Sequence, residues 1–223
     1  MMIKNQVSLL SRVNRRSFLR YTGFGAAGVA LVSAGCQKEE TFGEFYLGSG
    51  DIGLLNYLYV LEQLEAAFYN QLVAPFYSGA TEIEKSLLTD IRDHEIAHNE
   101  FLKNALGDVG IPRFDSDFTT VNFASRDSVL ATAKFFEDTA VSAYNGTGAL
   151  FKESKYLILA SQMVSVEARH AALIRNLISD GSFANIEVVD ENGLEKSQLP
   201  SEILTIVQPY IKAQIDSTDL PTI

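Results

Sequence analysis

The chain has 223 residues, 47% of them hydrophobic and 21% charged, which is enough apolar material for one globular domain with a sizeable core. Its net charge is −10, and because five basic and no acidic residues precede Cys36, the part from Cys36 onward carries −15. A domain this acidic repels phosphate backbones, so we expect no nucleic-acid partner. Cys36 is the sole cysteine, which excludes an intrachain disulfide and a cysteine-rich metal site.

The first 36 residues have the composition of an export signal. Residues 14–20, with the sequence NRRSFLR, place an arginine pair before two apolar residues, and an apolar stretch rich in Gly and Ala follows to residue 32. This pattern resembles a twin-arginine signal, and the apolar stretch is too short to span a bilayer stably. Such signals send folded proteins outward, so we expect a periplasmic or cell-surface location.

The leader ends in residues 33–36, with the sequence SAGC, which resembles the lipobox of exported lipoproteins although Ser33 replaces the usual leucine. In that motif a signal peptidase cleaves beside small residues and the cysteine thiol is acylated, so we predict lipidation of Cys36. Acyl chains would anchor the protein to a membrane. Residues 37–50 would then form a polar tether between the anchor and the domain.

Four long helices are predicted in the remainder, because apolar residues recur there at spacings of three and four. The predicted helices cover residues 51–73, 81–106, 126–144 and 152–179. Thr81 and Glu84 open the second helix as a capping box, and Gly107 ends it. The third helix is expected to break at residues 145–148, which read NGTG.

The lengths of the links predict how these helices are arranged. Each pair of helices is joined by a short link and should be antiparallel, whereas residues 107–125 form a long crossover between the pairs. That is the connectivity of a ferritin-like four-helix bundle, so the predicted fold class is all-α, with the bundle over residues 51–180. Residues 181–223 form a C-terminal extension, in which 185–198 hold a strand-like pair or a loop and a short helix runs over 200–215.

Two of the predicted helices contain the motif Glu-x-x-His. Glu95 and His98 lie on the second helix, and Glu167 and His170 lie on the fourth. Residues three apart share a helix face, so each pair can bind one metal ion from one side. The chain has three histidines, and two of them stand three residues after a glutamate, a coincidence of only about a few per cent.

The first and third helices share a second pattern, because Glu62 precedes Tyr69 by seven residues and Glu137 precedes Tyr144 by seven. Seven residues make two helical turns, so Glu and Tyr point the same way. Each half therefore reads Glu-x6-Tyr and then Glu-x-x-His, which indicates a duplicated helical hairpin. Two questions stay open. Glu65 competes with Glu62 as a ligand. The two tyrosines either hydrogen-bond ligand carboxylates or lie near a redox centre as catalytic residues, or they belong to the plain core.

Residues 61–69 (LEQLEAAFY) and 166–172 (VEARHAA) resemble the desiccation-related, ferritin-like domain group of the ferritin-like superfamily of di-metal carboxylate proteins. The resemblance covers about residues 51–180. It implies one Glu from each of the first and third helices and Glu-x-x-His from the second and fourth, with Glu95 and Glu137 among the bridging or chelating ligands. The implied metal ligands are Glu62, Glu95, His98, Glu137, Glu167 and His170.

The implied donor set suits two metal ions, with iron expected ahead of manganese. Two divalent cations would cancel the charges of four carboxylates that otherwise repel one another. We expect redox chemistry on dioxygen or peroxide, with small oxidants as partners, in protection against stress. Whether the protein is an oxidase, peroxidase or catalase-like enzyme, or a metal-stabilised, non-catalytic desiccation-related protein, stays open, as does a homodimer.

His94 adds a rival interpretation, because residues 94–98 read His-Glu-x-x-His, which matches the zinc-protease motif on a helix. In that chemistry His94 and His98 bind zinc and Glu95 is a general base. A protease has no use for the second Glu-x-x-His or for the repeated Glu-x6-Tyr. The zinc metalloprotease is therefore the minor alternative, and His94 is predicted to be a partly exposed neighbour of the site.

Overall fold

The computed structural model describes residues 43–222, so the predicted export signal, the lipidation of Cys36 and residues 37–42 of the tether lie outside it. Within the described range the chain is mainly helical, as predicted. The α-helices are α1 Gly50–Leu72, α2 Glu82–Leu106, α3 Arg126–Gly148, α4 Ser154–Ile178 and α5 Pro200–Val207. Two short strands, β1 Glu44–Tyr46 and β2 Gln214–Asp216, pair in parallel with Phe45 opposite Ile215.

The four long helices pack in two pairs, α1 with α2 and α3 with α4, and α1 also packs against α3. Helix α1 is buried along most of its length, because it is apolar on nearly all sides. The predicted all-α class is therefore confirmed. Helix α4 is long and apolar enough to cross a bilayer by length and composition alone. In this structure it packs along α3 and carries the fully buried Glu167, while most of its other residues stay partly or fully exposed.

The predicted capping box of α2 is present. The Thr81 hydroxyl accepts a hydrogen bond of 3.2 Å from the backbone N–H of Glu84, and the Glu84 carboxylate accepts one of 2.9 Å from the backbone N–H of Thr81. The long crossover after α2 is tied back to α1 by Asn56. Its side-chain amide donates to the Val109 carbonyl at 3.0 Å and its oxygen accepts from the Ile111 N–H at 2.9 Å.

The predicted break of the third helix at residues 145–148 is wrong, because α3 continues to Gly148. Gly146 does not form a turn. It lies where two backbone segments approach each other closely. A Cβ at this position would lie 1.8 Å from the carbonyl oxygen of Gln198, in the C-terminal extension. The extension is also joined to α3 by a 3.1 Å hydrogen bond from the Gln198 N–H to the Ser142 carbonyl.

The predicted terminal helix is shorter than expected. It begins at Pro200 but ends at Val207 instead of residue 215, because Pro209 lacks the N–H that an α-helix would need. A 3-10 turn, Gln208–Tyr210, and strand β2 follow. Residues 185–198 form an irregular loop closed by one antiparallel bridge between Val189 and Glu195.

Candidate metal centre

The six residues predicted as ligands converge inside the bundle, although they come from four helices. Helix α1 supplies Glu62, α2 supplies Glu95 and His98, α3 supplies Glu137, and α4 supplies Glu167 and His170. All four carboxylate side chains are fully buried, whereas the side chains of His98 and His170 keep 14% and 5% of their surface exposed. The most open approach to the cluster is therefore at His98.

The donor atoms form two groups, in each of which they all lie within 4.8 Å of one another. One group is Glu62, Glu95, His98 and Glu167; the other is Glu95, Glu137, Glu167 and His170. Glu95 and Glu167 belong to both, so each lies between the two positions that the groups define. We expected Glu95 and Glu137 among the bridging or chelating residues; the structure places Glu137 in one group only.

Both imidazoles direct their Nδ1 atom toward the carboxylates. The Nδ1 of His98 lies 2.6 Å from Glu167 Oε1 and 3.4 Å from Glu62 Oε2. The Nδ1 of His170 lies 2.8 Å from Glu95 Oε1 and 3.3 Å from Glu167 Oε2. Each histidine thus reaches the Glu of the other Glu-x-x-His motif. Its Nδ1 is the ring nitrogen that could bind a metal ion among these carboxylates.

The two tyrosines cross-link the halves of the bundle. The Tyr69 hydroxyl donates to Glu137 Oε1 and the Tyr144 hydroxyl donates to Glu62 Oε1, each at 2.5 Å. The other oxygen of each glutamate faces an imidazole, because Glu62 Oε2 lies 3.4 Å from His98 and Glu137 Oε2 lies 3.5 Å from His170. Tyr69 and Tyr144 therefore orient carboxylates of the candidate centre.

Burial and mutual repulsion control the charges of the cluster. Burial raises the pKa of Glu62 and Glu137 to about 8, although the neighbouring imidazole of each lowers it. Burial also lowers the pKa of His98 and His170, but the surrounding carboxylates outweigh this and raise both far above the usual range. At Glu95 burial is outweighed by the same two imidazoles, which lower the pKa of that carboxyl to about 2. Without a cation, protons on Glu62, Glu137 and the two imidazoles thus offset much of the negative charge of the cluster.

The arrangement fits metal ions because several inward-facing atoms have no aligned hydrogen-bond partner within residues 43–222. These atoms are Glu62 Oε2, both oxygens of Glu95, His98 Nδ1, Glu137 Oε2 and Glu167 Oε1. These atoms contact one another at ion-pair distances but without hydrogen-bond alignment, so the free-energy cost of burying them is only partly offset, and it is larger for a carboxylate than for a neutral group. Oxygen and nitrogen atoms gathered in this way are donors that divalent iron, manganese or zinc accepts.

Glu65 also faces the interior but belongs to neither donor group. Its side chain is 2% exposed, and neither carboxylate oxygen has a hydrogen-bond partner in the described part of the chain. Burial, together with the charges of Glu95 and Glu167, raises its pKa well above the usual value. Of the two alternatives on α1, Glu62 is therefore the one that the structure places among the donors.

His94 lies in neither donor group, and its partner is an unexpected one. Its Nδ1 lies 2.9 Å from the Nε2 of His170, the ring atom that points away from the carboxylates. A zinc protease would need His94 and His98 on one ion, so this geometry gives that alternative no support. The sequence indicated only that His94 is near the site, since its contact crosses from α2 to α4.

Comparison with known families agrees with this architecture. Residues 50–180, which span α1 to α4 and include all six donors, match the model of the ferritin-like domain. No curated protein matches the chain in sequence.

Proposed function

Because this chain belongs to the ferritin-like domain family, we propose that it is a di-metal carboxylate protein that carries out redox chemistry on dioxygen or peroxide. One observation carries the proposal: two donor groups share the carboxylates of Glu95 and Glu167. Such sharing suits two cations held side by side, as in the di-iron and di-manganese proteins built on this kind of bundle.

The donor set supports a pair of divalent ions, with iron ahead of manganese. Four carboxylates carry four negative charges, which two divalent cations cancel while both imidazoles stay neutral. Bound iron or manganese would supply the change of oxidation state that reduction of dioxygen or peroxide requires. The protein's own contribution is to hold Glu62 and Glu137 through Tyr144 and Tyr69 and to exclude bulk water from four fully buried carboxylates.

Export and anchoring are part of the same proposal. The NRRSFLR motif and Cys36 support a folded protein sent outward and tethered to a membrane, where it would meet external oxidants. A Cys36→Ala variant should move from the membrane fraction to the soluble fraction of the exported protein. Retention of that variant in the membrane would argue against lipidation.

A second candidate function is a metal-stabilised protein without turnover. The six donors do not line the surface cleft of about 1090 Å³ that lies between α3 and the C-terminal extension. The residues that line this cleft include Lys134, Asp138 and Glu195. The donors themselves are nearly closed to solvent, which favours metal as a structural element over metal as a reaction centre. In this case metal would add stability by binding only the folded chain.

Metal loading distinguishes these candidates. Purified protein is loaded with Fe(II) or Mn(II), and metal content, melting temperature and the consumption of dioxygen or peroxide are measured. We expect two ions per chain and turnover in the unchanged protein. A Glu137→Ala, His170→Ala double variant should lose turnover and keep one ion, because both residues belong to the same donor group. Glu191→Ala, which changes an exposed loop residue, should retain two ions and turnover. Two ions with a raised melting temperature but no turnover would favour the second candidate. Equal turnover in the double variant would refute a reaction at this site.

A further inference from the structure

The His170 imidazole makes a second contact on the side away from the carboxylates. The ring planes of His94 and His170 differ by 9°, and their centroids are 5.1 Å apart. The closest ring nitrogens are 2.9 Å apart, so the centroid separation is close to this distance plus one ring radius at each end. The two rings therefore meet edge to edge in nearly one plane, which is the alignment of an N–H···N hydrogen bond and not of face-to-face stacking.

The direction of this bond follows from the orientation of His170. Its Nδ1 faces Glu95 and Glu167, at 2.8 and 3.3 Å. A neutral imidazole that offers Nδ1 to a cation carries its proton on Nε2. That N–H points at the Nδ1 of His94, which accepts it. His94 itself is exposed. The hydrogen bond therefore joins the buried imidazole of His170 to a residue on the solvent-facing side of α2.

The duplicated halves of the bundle differ at this position. His94 directly precedes Glu95, and the residue that directly precedes Glu167 in the second half is Val166. An aliphatic side chain cannot accept a hydrogen bond, so the duplication supplies no corresponding acceptor for His98. The symmetry of the Tyr–Glu pairs and of the Glu-x-x-His motifs is thus broken at one residue.

We propose that His94 is a positioning residue that holds the ring and tautomer of His170, and that it makes the two metal positions unequal in affinity. This inference rests on the proposed function. A partner on the outer nitrogen of a metal-binding imidazole fixes the ring orientation and raises its basicity, and its loss lowers metal affinity by about 10- to 100-fold. The position that includes His170 is therefore the stronger of the two.

The test uses full-length protein loaded with Co(II), because this ion shifts the proton NMR signals of ligand imidazoles, ring N–H included, away from the rest. We expect two exchangeable ring N–H signals, of which the one from His170 exchanges more slowly with water. His94→Phe should speed its exchange and weaken one of two binding constants by about 10- to 100-fold in a chelator competition. His94→Gln retains an acceptor and should restore slow exchange, at least in part.

Two further variants make the test specific. Val166→His should slow the exchange of the His98 signal, because it supplies the missing acceptor, while Asp93→Ala, on the exposed surface beside His94, should change neither signal. The inference fails if both signals exchange at the same rate in the unchanged protein and His94→Phe leaves both binding constants unaffected. Water would then take the place of His94 as the acceptor. This result would overturn the role of His94 but not the proposed function. Failure of the unchanged protein to take up any metal would overturn the proposed function and this inference with it.

Discussion

Tyr69 on α1 donates a hydrogen bond of 2.5 Å to Glu137 on α3, so a side chain from the first half of the bundle orients a carboxylate of the second. Tyr144 returns the same contact to Glu62. Because of these two reciprocal hydrogen bonds, each helical hairpin depends on a tyrosine of the other hairpin to hold its glutamate in place. The candidate centre therefore requires both halves to be packed together.

Replacing either tyrosine by Phe should weaken binding at one metal position, and the position should differ between the two variants. Tyr69→Phe releases Glu137, whereas Tyr144→Phe releases Glu62, and we expect a loss of about 10- to 100-fold in one binding constant each. Chelator competition measures this. Tyr57→Phe is the matched control. The Tyr57 hydroxyl is buried on α1, the helix of Tyr69, and it has no hydrogen-bond partner among the described residues. Identical effects of the two variants on the same constant would contradict the cross-linked arrangement.

The sharing of Glu95 and Glu167 predicts a difference in stoichiometry. Glu95→Ala or Glu167→Ala removes a donor from both groups and should reduce the metal content from two ions to none. Glu62→Ala or Glu137→Ala removes a donor from one group and should leave one ion bound. Elemental analysis after gel filtration gives the counts. Uniform loss of one ion in all four variants would show that no carboxylate is shared.

Glu65 should destabilise the metal-free protein as the pH rises. Its pKa is raised by burial in the folded chain, so above the ordinary value of 4.5 the unfolded chain loses this proton while the folded chain keeps it. Stability then falls by up to roughly 1.4 kcal/mol per pH unit. Glu65→Met should therefore be more stable than the unchanged protein, with a difference that grows from about pH 5 to 7.

Urea unfolding of the metal-free protein at several pH values measures the effect of Glu65. Glu65→Gln serves as the control, since its amide is also buried without a partner and should gain less than Met. A stability difference that does not change with pH would mean that Glu65 is ionised in the folded chain as well as in the unfolded chain, and it would contradict the prediction.

Glu84 should behave in the opposite way. Burial raises its pKa, but hydrogen bonds from Thr81 and Arg126 outweigh burial and hold the pKa at about 2. A lowered pKa stabilises the fold above the unfolded value of 4.5, and the gain disappears as the pH falls toward 2. Glu84→Gln should cost about 1–3 kcal/mol near neutral pH and little in strong acid.

The neighbour Glu82 provides the control for Glu84, because its side chain is 89% exposed in the same first turn of α2. Glu82→Gln should change the free energy of unfolding by less than about 0.5 kcal/mol. Acid titrations followed by circular dichroism would compare the two. A Glu84→Gln cost that persists unchanged at low pH would assign the loss to packing instead of charge.

Gly146 and Gly148 give a test of how the C-terminal extension docks on α3. A Cβ at Gly146 would lie 1.8 Å from the Gln198 carbonyl oxygen, whereas a Cβ at Gly148 would meet Leu157 at an ordinary 3.6 Å. Gly146→Ala should cost about 1–3 kcal/mol and increase proteolysis of the extension. Gly148→Ala should be neutral or stabilise α3 by up to about 1 kcal/mol. Equal stability of both variants would contradict the close backbone contact.

Local sequence patterns determined much of this protein. The spacing of apolar residues predicts the four long helices, and Thr81 with Glu84 predicts where α2 begins, because a helix start depends on side chains within one turn. The two Glu-x-x-His motifs place their donors on one face for the same reason. The duplicated Glu-x6-Tyr pattern and the family resemblance then name all six donors that the structure brings together. That these donors bind metal stays a prediction.

The tertiary structure decided what depends on residues far apart in the chain. Only the packing of α2 against α4 brings His94 to His170, 76 residues away, and only the meeting of four helices makes Glu95 and Glu167 the shared carboxylates. The same holds for Gly146, which reads as a helix end in sequence but allows close contact with Gln198 in space. Helix periodicity fixes the face on which a side chain lies. The partner that it meets across the bundle is fixed by interhelical distance and register, which no local pattern contains.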